Sequence, residues 1–154
     1  MSAPEFALVP IERLKGHEEY DPRKVEQLVR RLRRSGSFDE PIWVARGSLV
    51  ILNGHHRVEA LRRLGAHWAA AWVFDYDSDE VDLEPWRPGP PIAKEEVVRR
   101  ATRGEPFPPK TTRHRLRVAL PPRTVPLEDL LSQTGTADVS HRPGSGRSGV
   151  ARTV

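Results

Sequence analysis

The stretch that most restricts the fold is "ILNGHHRVEALRRLG", residues 51–65. An apolar pair, Ile51-Leu52, runs into Asn53-Gly54, and helical spacing then places Val58, Ala60, Leu61 and Leu64 on one face until Gly65. This reads as a strand, a tight turn and a helix over 56–64. A helix N-terminus leaves backbone N–H groups unpaired, carries a partial positive charge and binds phosphate readily. Gly54 lets the backbone come close to an anion, Asn53 is a candidate cap, and His55, His56 and Arg57 add side-chain donors. One histidine here would be an ordinary surface residue. Three cationic or cationisable donors in a row, after a glycine, point to an anion site. They do not point to a metal, because neighbours on a helix project about 100° apart and His55 and His56 do not converge on one ion.

The rest of the chain punctuates itself in the same way. "VPIERLK" at 9–15 reads as a strand end with Pro10 opening a short helical turn, and "GHEEY" as a polar loop. Asp21-Pro22 is an N-cap followed by proline, Val25, Leu28, Val29 and Leu32 recur at helical spacing, and Gly36 is the stop. "PIWVARGSLVILNG" reads as a hairpin around Arg46-Gly47-Ser48, and "AAAWVFDY" as a buried strand. Residues 77–93 read as an acidic, then Pro/Gly-rich loop containing Trp86, and "AKEEVVRRATRG" as a helix ending at Gly104. "EPFPPKTTRH" holds three prolines and reads as irregular, "LRVAL" as a strand and "VPLEDLL" as a final turn. That last heptamer echoes "VPIERLK" through shared turn chemistry, with no repeat between them. From Ser132 to residue 154 a Gly/Ser/Arg-rich composition predicts a disordered tail, and Arg142, Arg147 and Arg152 read as solvated charge.

Composition narrows the chemistry. The chain has 154 residues, enough for one domain. Lys+Arg 25 against Asp+Glu 21 gives +4, which favours an anionic partner: nucleotide, phosphorylated metabolite or nucleic acid. With no cysteine, disulfides, thiolate catalysis and Cys-based zinc sites are excluded. The N-terminus lacks the basic and apolar regions of a signal peptide, and no apolar run reaches membrane-spanning length, so a soluble, cytoplasmic protein is expected.

A second basic cluster, Lys110-Thr111-Thr112-Arg113-His114, follows Pro108-Pro109. It offers an ammonium, two hydroxyls, a guanidinium and an imidazole behind a stiffened approach, which is a donor set for phosphate. The run Arg30-Arg31-Arg33-Arg34 reads instead as the exposed face of the first helix. His17-Glu18-Glu19 precedes that helix, and Glu18 or Glu19 is a candidate for the carboxylate that accepts a hydroxyl proton in phosphoryl transfer.

Taken together, these motifs resemble the ParB/sulfiredoxin superfamily, and within it the free L-serine kinases. The resemblance rests on His17-Glu18, Asn53 to Arg57, Lys94 to Val97, Gly104, Phe107 to His114, and Leu127 to Leu130, within residues 5–131. "PKTTRH" is the specific part, and "GHHR" is shared with other branches. The resemblance implies an α+β domain over 5–131, with a small mixed sheet and packed helices. It implies an ATP- or ADP-dependent, Mg²⁺-assisted kinase that converts free L-serine to O-phospho-L-serine. By the same resemblance Glu18 matches the acid/base glutamate, and Gly54, His55, His56 and Arg57 match the turn that holds nucleotide phosphates. Trp86 matches a tryptophan near the serine site. Thr111, Thr112, Arg113 and His114, with Lys110 beside them, match the segment that binds serine and the transferred phosphate. Two departures stand out. Asn53 occupies a position where the branch has Asp, and the stretch from Trp86 to Lys94 is very short where some relatives carry an extra lobe.

The sister branches fit less well. A sulfiredoxin needs a cysteine in the turn, and a full partition protein needs a helix-turn-helix pair that is not evident after it. A nuclease needs a carboxylate cluster for two metals, and none is evident in the sequence. The alternative to the kinase is a ParB-like nucleotide-binding module, acting as a DNA-associated or regulatory protein.

Overall fold

A computed structural model describes residues 3–132, and its centre is the apolar run Trp68–Phe74, strand β5. β5 pairs antiparallel with β1 (Glu5–Pro10) and parallel with β3 (Ile42–Ala45). β3 in turn pairs antiparallel with β4 (Ile51–Asn53), giving a mixed sheet in the order β1-β5-β3-β4. Successive side chains of a strand point to opposite faces. Ala69, Ala71 and Val73 enter one core while Trp72 and Phe74 enter another. Both faces are covered, which is why β5 reads as a continuous apolar run rather than an alternating one.

The first face carries α1 (Pro22–Ser35), α2 (His55–Arg63) and α4 (Leu127–Leu131), which contribute Val25, Leu32, Val58, Leu61, Leu127 and Leu130. The second carries α3 (Lys94–Arg103) through Val97 and Ala101, and a ribbon of β6 (Val81–Pro85) with β7 (Thr112–Leu116). A short ribbon of β2 (Ser37–Phe38) and β8 (Val125–Pro126) closes the α1 end. Asp21 caps α1 by accepting the Arg23 N–H at 2.9 Å, and Gly36 ends it at φ 68°, as the sequence predicts.

The structure corrects four local expectations. Residues 81–85, inside the expected acidic loop, form β6, because β7 supplies a pairing partner that local composition does not reveal. Thr112–His114 is regular strand, not irregular chain, and it is β7 that exists rather than a strand over "LRVAL". "VPLEDLL" is more than a turn: Val125–Pro126 pairs with β2 and Leu127–Leu131 is helical. The helix after the "NGHHR" turn starts at His55 with Gly54 at the cap position, so Asn53 ends β4 and caps nothing. The expected tail begins at Ser132, whose carbonyl accepts the Trp68 indole N–H at 3.0 Å, and residues 133–154 lie outside the described residues.

Candidate active site

Gly54 is required by backbone and packing together. Its φ is +112°, and a Cβ there would lie 2.6 Å from Ile42 Cγ2. The glycine therefore lets β4 turn into α2 tight against β3. The first backbone N–H to reach back is that of Val58, to the Gly54 carbonyl at 2.9 Å. The N–H groups of His55, His56 and Arg57 are thus the open donors of the helix end.

The side chains of this turn are committed to the protein itself. Arg57 donates to the carbonyls of Glu40 at 2.6 Å and Pro41 at 3.3 Å, and to Asn53 Oδ1 at 2.7 Å. Asn53 thereby anchors Arg57. His55 Nε2 accepts the His17 N–H at 3.1 Å, and His56 Nε2 accepts the Asp21 N–H at 3.0 Å. The roughly 100° between them, which rules out joint chelation, lets them grip two points of one segment. Residues 18–20 are suspended between those points, over the helix end. Each ring is therefore a neutral acceptor at Nε2. Burial pushes His55 well down, and burial together with the positive charge of Lys24 pushes His56 down as well.

On its other side the segment is held by Phe107. The Phe107 N–H donates to the His17 carbonyl at 2.7 Å, and the Glu19 N–H donates to the Phe107 carbonyl at 2.8 Å. These bonds make Glu18 and Phe107 opposite members of a β-bridge. The Glu18 carboxylate accepts the Lys110 N–H at 2.9 Å, the Thr112 N–H at 3.0 Å and the Thr112 hydroxyl at 2.8 Å. The "KTTRH" segment thus binds Glu18 directly, and the "GHHR" turn holds the chain on either side of it.

Strand alternation divides the "KTTRH" segment. His114 points inward and Arg113 outward. Arg113 lies over the Trp86 ring, 4.7 Å from its centroid, and the Trp86 N–H donates to the Thr111 carbonyl at 2.9 Å. Trp86, Thr111 and Arg113 therefore share one exposed corner of the β6–β7 ribbon. His114 is excluded from it: its Nε2 is 2.7 Å from the Tyr76 hydroxyl in the interior. Burial lowers His114 to about 3 and raises Tyr76. A neutral, buried His114 does not contact a phosphate in this arrangement.

Three residues have roles that composition did not suggest. His17, expected in a polar loop, is fully buried, and burial lowers it to about 4. Its ring packs edge-on against His55 at 4.7 Å and His114 at 5.6 Å, so three neutral imidazoles back Glu18. Lys94 donates from Nζ to the carbonyls of Tyr76 at 2.7 Å, Ser78 at 3.2 Å and Val81 at 2.6 Å, closing the β5–β6 loop. Phe107, the first residue of the segment Phe107 to His114 that carries the family resemblance, is the bridge partner of Glu18.

A cleft of about 530 Å³ opens beside Glu18, lined also by Glu19, Tyr20, His55, Glu59 and Arg62. Glu59 and Arg62 pair with each other at 2.9 Å. Among the described residues Glu19 is the lining carboxylate with no side-chain partner. No group of three His, Cys, Asp or Glu that could hold a metal ion is present among them. No helix among the described residues is long and apolar enough to cross a membrane. The arrangement brings a fixed carboxylate, an open helix N-terminus and a cleft into contact, which is equipment for activating a hydroxyl near a bound phosphate.

Known proteins resemble this chain in sequence and in fold. No family model matches the chain. It is 30% identical over 100 residues to the ADP-dependent L-serine kinase SerK of Thermococcus kodakarensis, covering 62% of this chain and 41% of that protein. It is 32% identical over 88 residues to the ATP-dependent L-serine kinase of Staphylothermus marinus, covering 54% and 35%. A ParB-like protein of Sulfolobus acidocaldarius is 35% identical over 86 residues, covering 56% and 43%. The chain thus spans about two fifths of the length of these curated relatives. Among solved structures, a free serine kinase in complex with AMP superposes with a TM-score of 0.73 at 20% identity, covering 81% of this chain and 93% of that one. SbnI from Staphylococcus aureus, truncated at its C-terminus, does so with a TM-score of 0.73 at 14% identity, covering 83% and 90%. The α+β fold expected from the sequence is therefore the fold of the free serine kinases.

Proposed function

We propose that this chain is a nucleotide-dependent kinase that transfers a phosphoryl group to the hydroxyl of free L-serine. The observation that carries the reading is Glu18, held by three hydrogen bonds at the edge of the cleft and directly beside the N-terminus of α2. The printed activities of the sequence relatives, ADP- and ATP-dependent L-serine kinases, agree with it.

In this reading the donor phosphates lie on the open N–H groups of His55, His56 and Arg57, where the helix dipole favours negative charge. His55, His56 and Arg57 serve through their backbone, while their side chains hold the surrounding loops. Glu18 takes the proton of the serine hydroxyl as its oxygen attacks phosphorus. Trp86, Thr111 and Arg113 form the corner that meets the substrate carboxylate or the phosphoryl group. Mg²⁺ neutralises charge on the donor phosphates when bound. The residues fit a largely hydrated ion carried in with the nucleotide, with Glu19 as the carboxylate that would hold it. Asn53, where the free L-serine kinase branch has Asp, accepts from Arg57 at 2.7 Å.

The test is incubation of the purified chain with Mg²⁺, L-serine and either ATP or ADP, with O-phosphoserine detected by mass. Product with one donor is expected. No product with either donor, in the Asn53→Asp variant as well, would contradict the reading and favour a nucleotide-binding module.

A further inference from the structure

Glu18 as proton acceptor raises a question of lone pairs, and the inference here rests on that kinase reading. An ionised carboxylate only accepts, at about four lone-pair positions. Oε1 is filled by the Thr112 N–H at 3.0 Å and the Thr112 hydroxyl at 2.8 Å. Oε2 takes the Lys110 N–H at 2.9 Å and keeps one position open. The Thr112 hydroxyl has a single proton and gives it to Glu18. Its oxygen must then accept from His17 Nε2, which lies 2.8 Å away. The proton of neutral His17 is therefore on Nε2.

This tautomer carries a cost. Nδ1 of His17 is buried with no well-aligned hydrogen bond, and in the Nε2–H form it gives no proton to the Ile51 backbone beside it, which is unfavourable. The opposite tautomer would place a proton on Nδ1. The Thr112 hydroxyl would then have to turn toward His17, setting its lone pairs against those of ionised Glu18 at 2.8 Å. The charge on Glu18 thus selects the costly tautomer. The titratable groups around His17 are Glu18 beside it, His55 on α2 and His114 on β7, and burial keeps both neighbouring imidazoles neutral.

We propose that His17 is a positioning residue: acting through Thr112, it fixes the Glu18 carboxylate so that only Oε2 is open to the acceptor hydroxyl. In the transfer step the hydroxyl oxygen forms a bond to phosphorus and the bond from phosphorus to the nucleotide oxygen breaks. The electron pair of that bond leaves with the nucleotide, and the hydroxyl proton goes to Oε2 of Glu18.

Two measurements on the full chain test this together. The first is the tautomer of His17 by ¹⁵N NMR, where the Nε2–H form is expected. The second is the pH profile of kcat and KM in Thr112→Val, Thr112→Ser, His17→Gln and His17→Leu. Thr112→Val is expected to lower kcat about tenfold, the size of one lost hydrogen bond to a charged group. It should leave KM for nucleotide unchanged and move the acid limb to higher pH, because a carboxylate that loses a donor binds its proton more readily. Thr112→Ser and His17→Gln, which keep a donor in place, should restore most of kcat. His17→Gln should change Thr112→Val by less than twofold. An Nδ1–H tautomer in an active wild-type chain overturns this proposal alone, as does an unmoved acid limb in Thr112→Val. A wild-type chain that makes no phosphoserine overturns the kinase reading instead, and the tautomer still decides the hydrogen-bond chain. Should His17→Leu not fold, the threonine pair and the NMR measurement carry the test.

Discussion

The two basic segments, Asn53–Arg57 and Lys110–His114, look alike in sequence and differ in the fold. In the first, every side chain is spent inside the protein: Arg57 on three carbonyl-type oxygens, His55 and His56 on backbone N–H groups of the Glu18 segment. What remains for a ligand is backbone. In the second, strand alternation sorts the side chains. His114 goes to the core, Arg113 to an exposed corner with Trp86, and Thr112, on the same side of the strand as His114, to Glu18. The difference teaches that a cluster of cationic residues marks a place where donors are needed, without saying whether ligand or protein receives them. Hydrogen-bond partners decide that.

The comparison can be broken most strongly by acid. Unfolded histidines titrate near 6.5, whereas His17 and His114 in the fold titrate at about 4 and about 3. Above pH 6.5 both states are neutral and these groups leave stability flat. Between pH 6.5 and 4 only the unfolded chain takes up protons, so stability falls as pH falls, by up to roughly 1.4 kcal/mol per pH unit for each histidine. Urea unfolding at pH 7, 6 and 5 should show the midpoint dropping. A constant midpoint would mean that the imidazoles of His17 and His114 are accessible and not buried as described.

Gly54→Ala comes next. A Cβ 2.6 Å from Ile42 at φ +112° should cost about 2–4 kcal/mol in urea unfolding. Gly36→Ala is the control: it has nothing within 4 Å of the added carbon, so only left-handed strain of about 1–2 kcal/mol applies. Equal losses at the two positions would remove the packing argument. The smallest stability effect is expected on the exposed corner. Arg113→Ala gives up one cation–π contact, worth about 0.5–1 kcal/mol, yet should raise KM for serine at least tenfold. A variant with unchanged KM would take Arg113 out of the substrate site.

How far the sequence foretells this arrangement depends on the range of the interaction. α1 is legible because its cap, its proline and its terminal glycine act within one or two residues of its ends. β5 is legible because burial on both faces leaves an unbroken apolar run. β6 is not, since an acidic stretch becomes a strand only once β7 lies beside it, and Asp82 and Glu84 then face Arg117 and Arg115. The candidate site follows the same rule. That Glu18 and the "KTTRH" segment belong together could be read from the resemblance, but the grip of His55 and His56 on residues 17–21 could not. It depends on two rings accepting from backbone N–H groups 38 and 35 residues away. The burial of His17 left no trace in a polar neighbourhood.

The central claim is that Glu18 takes the proton while the N-terminus of α2 holds the nucleotide, so the two functions should separate. Glu18→Gln keeps the size of the side chain and removes the base. With Mg²⁺ and L-serine, turnover should fall by about a hundredfold or more, while the dissociation constant for the donor nucleotide stays within about threefold of wild type. Turnover near wild type in Glu18→Gln, with nucleotide bound as before, would contradict the account.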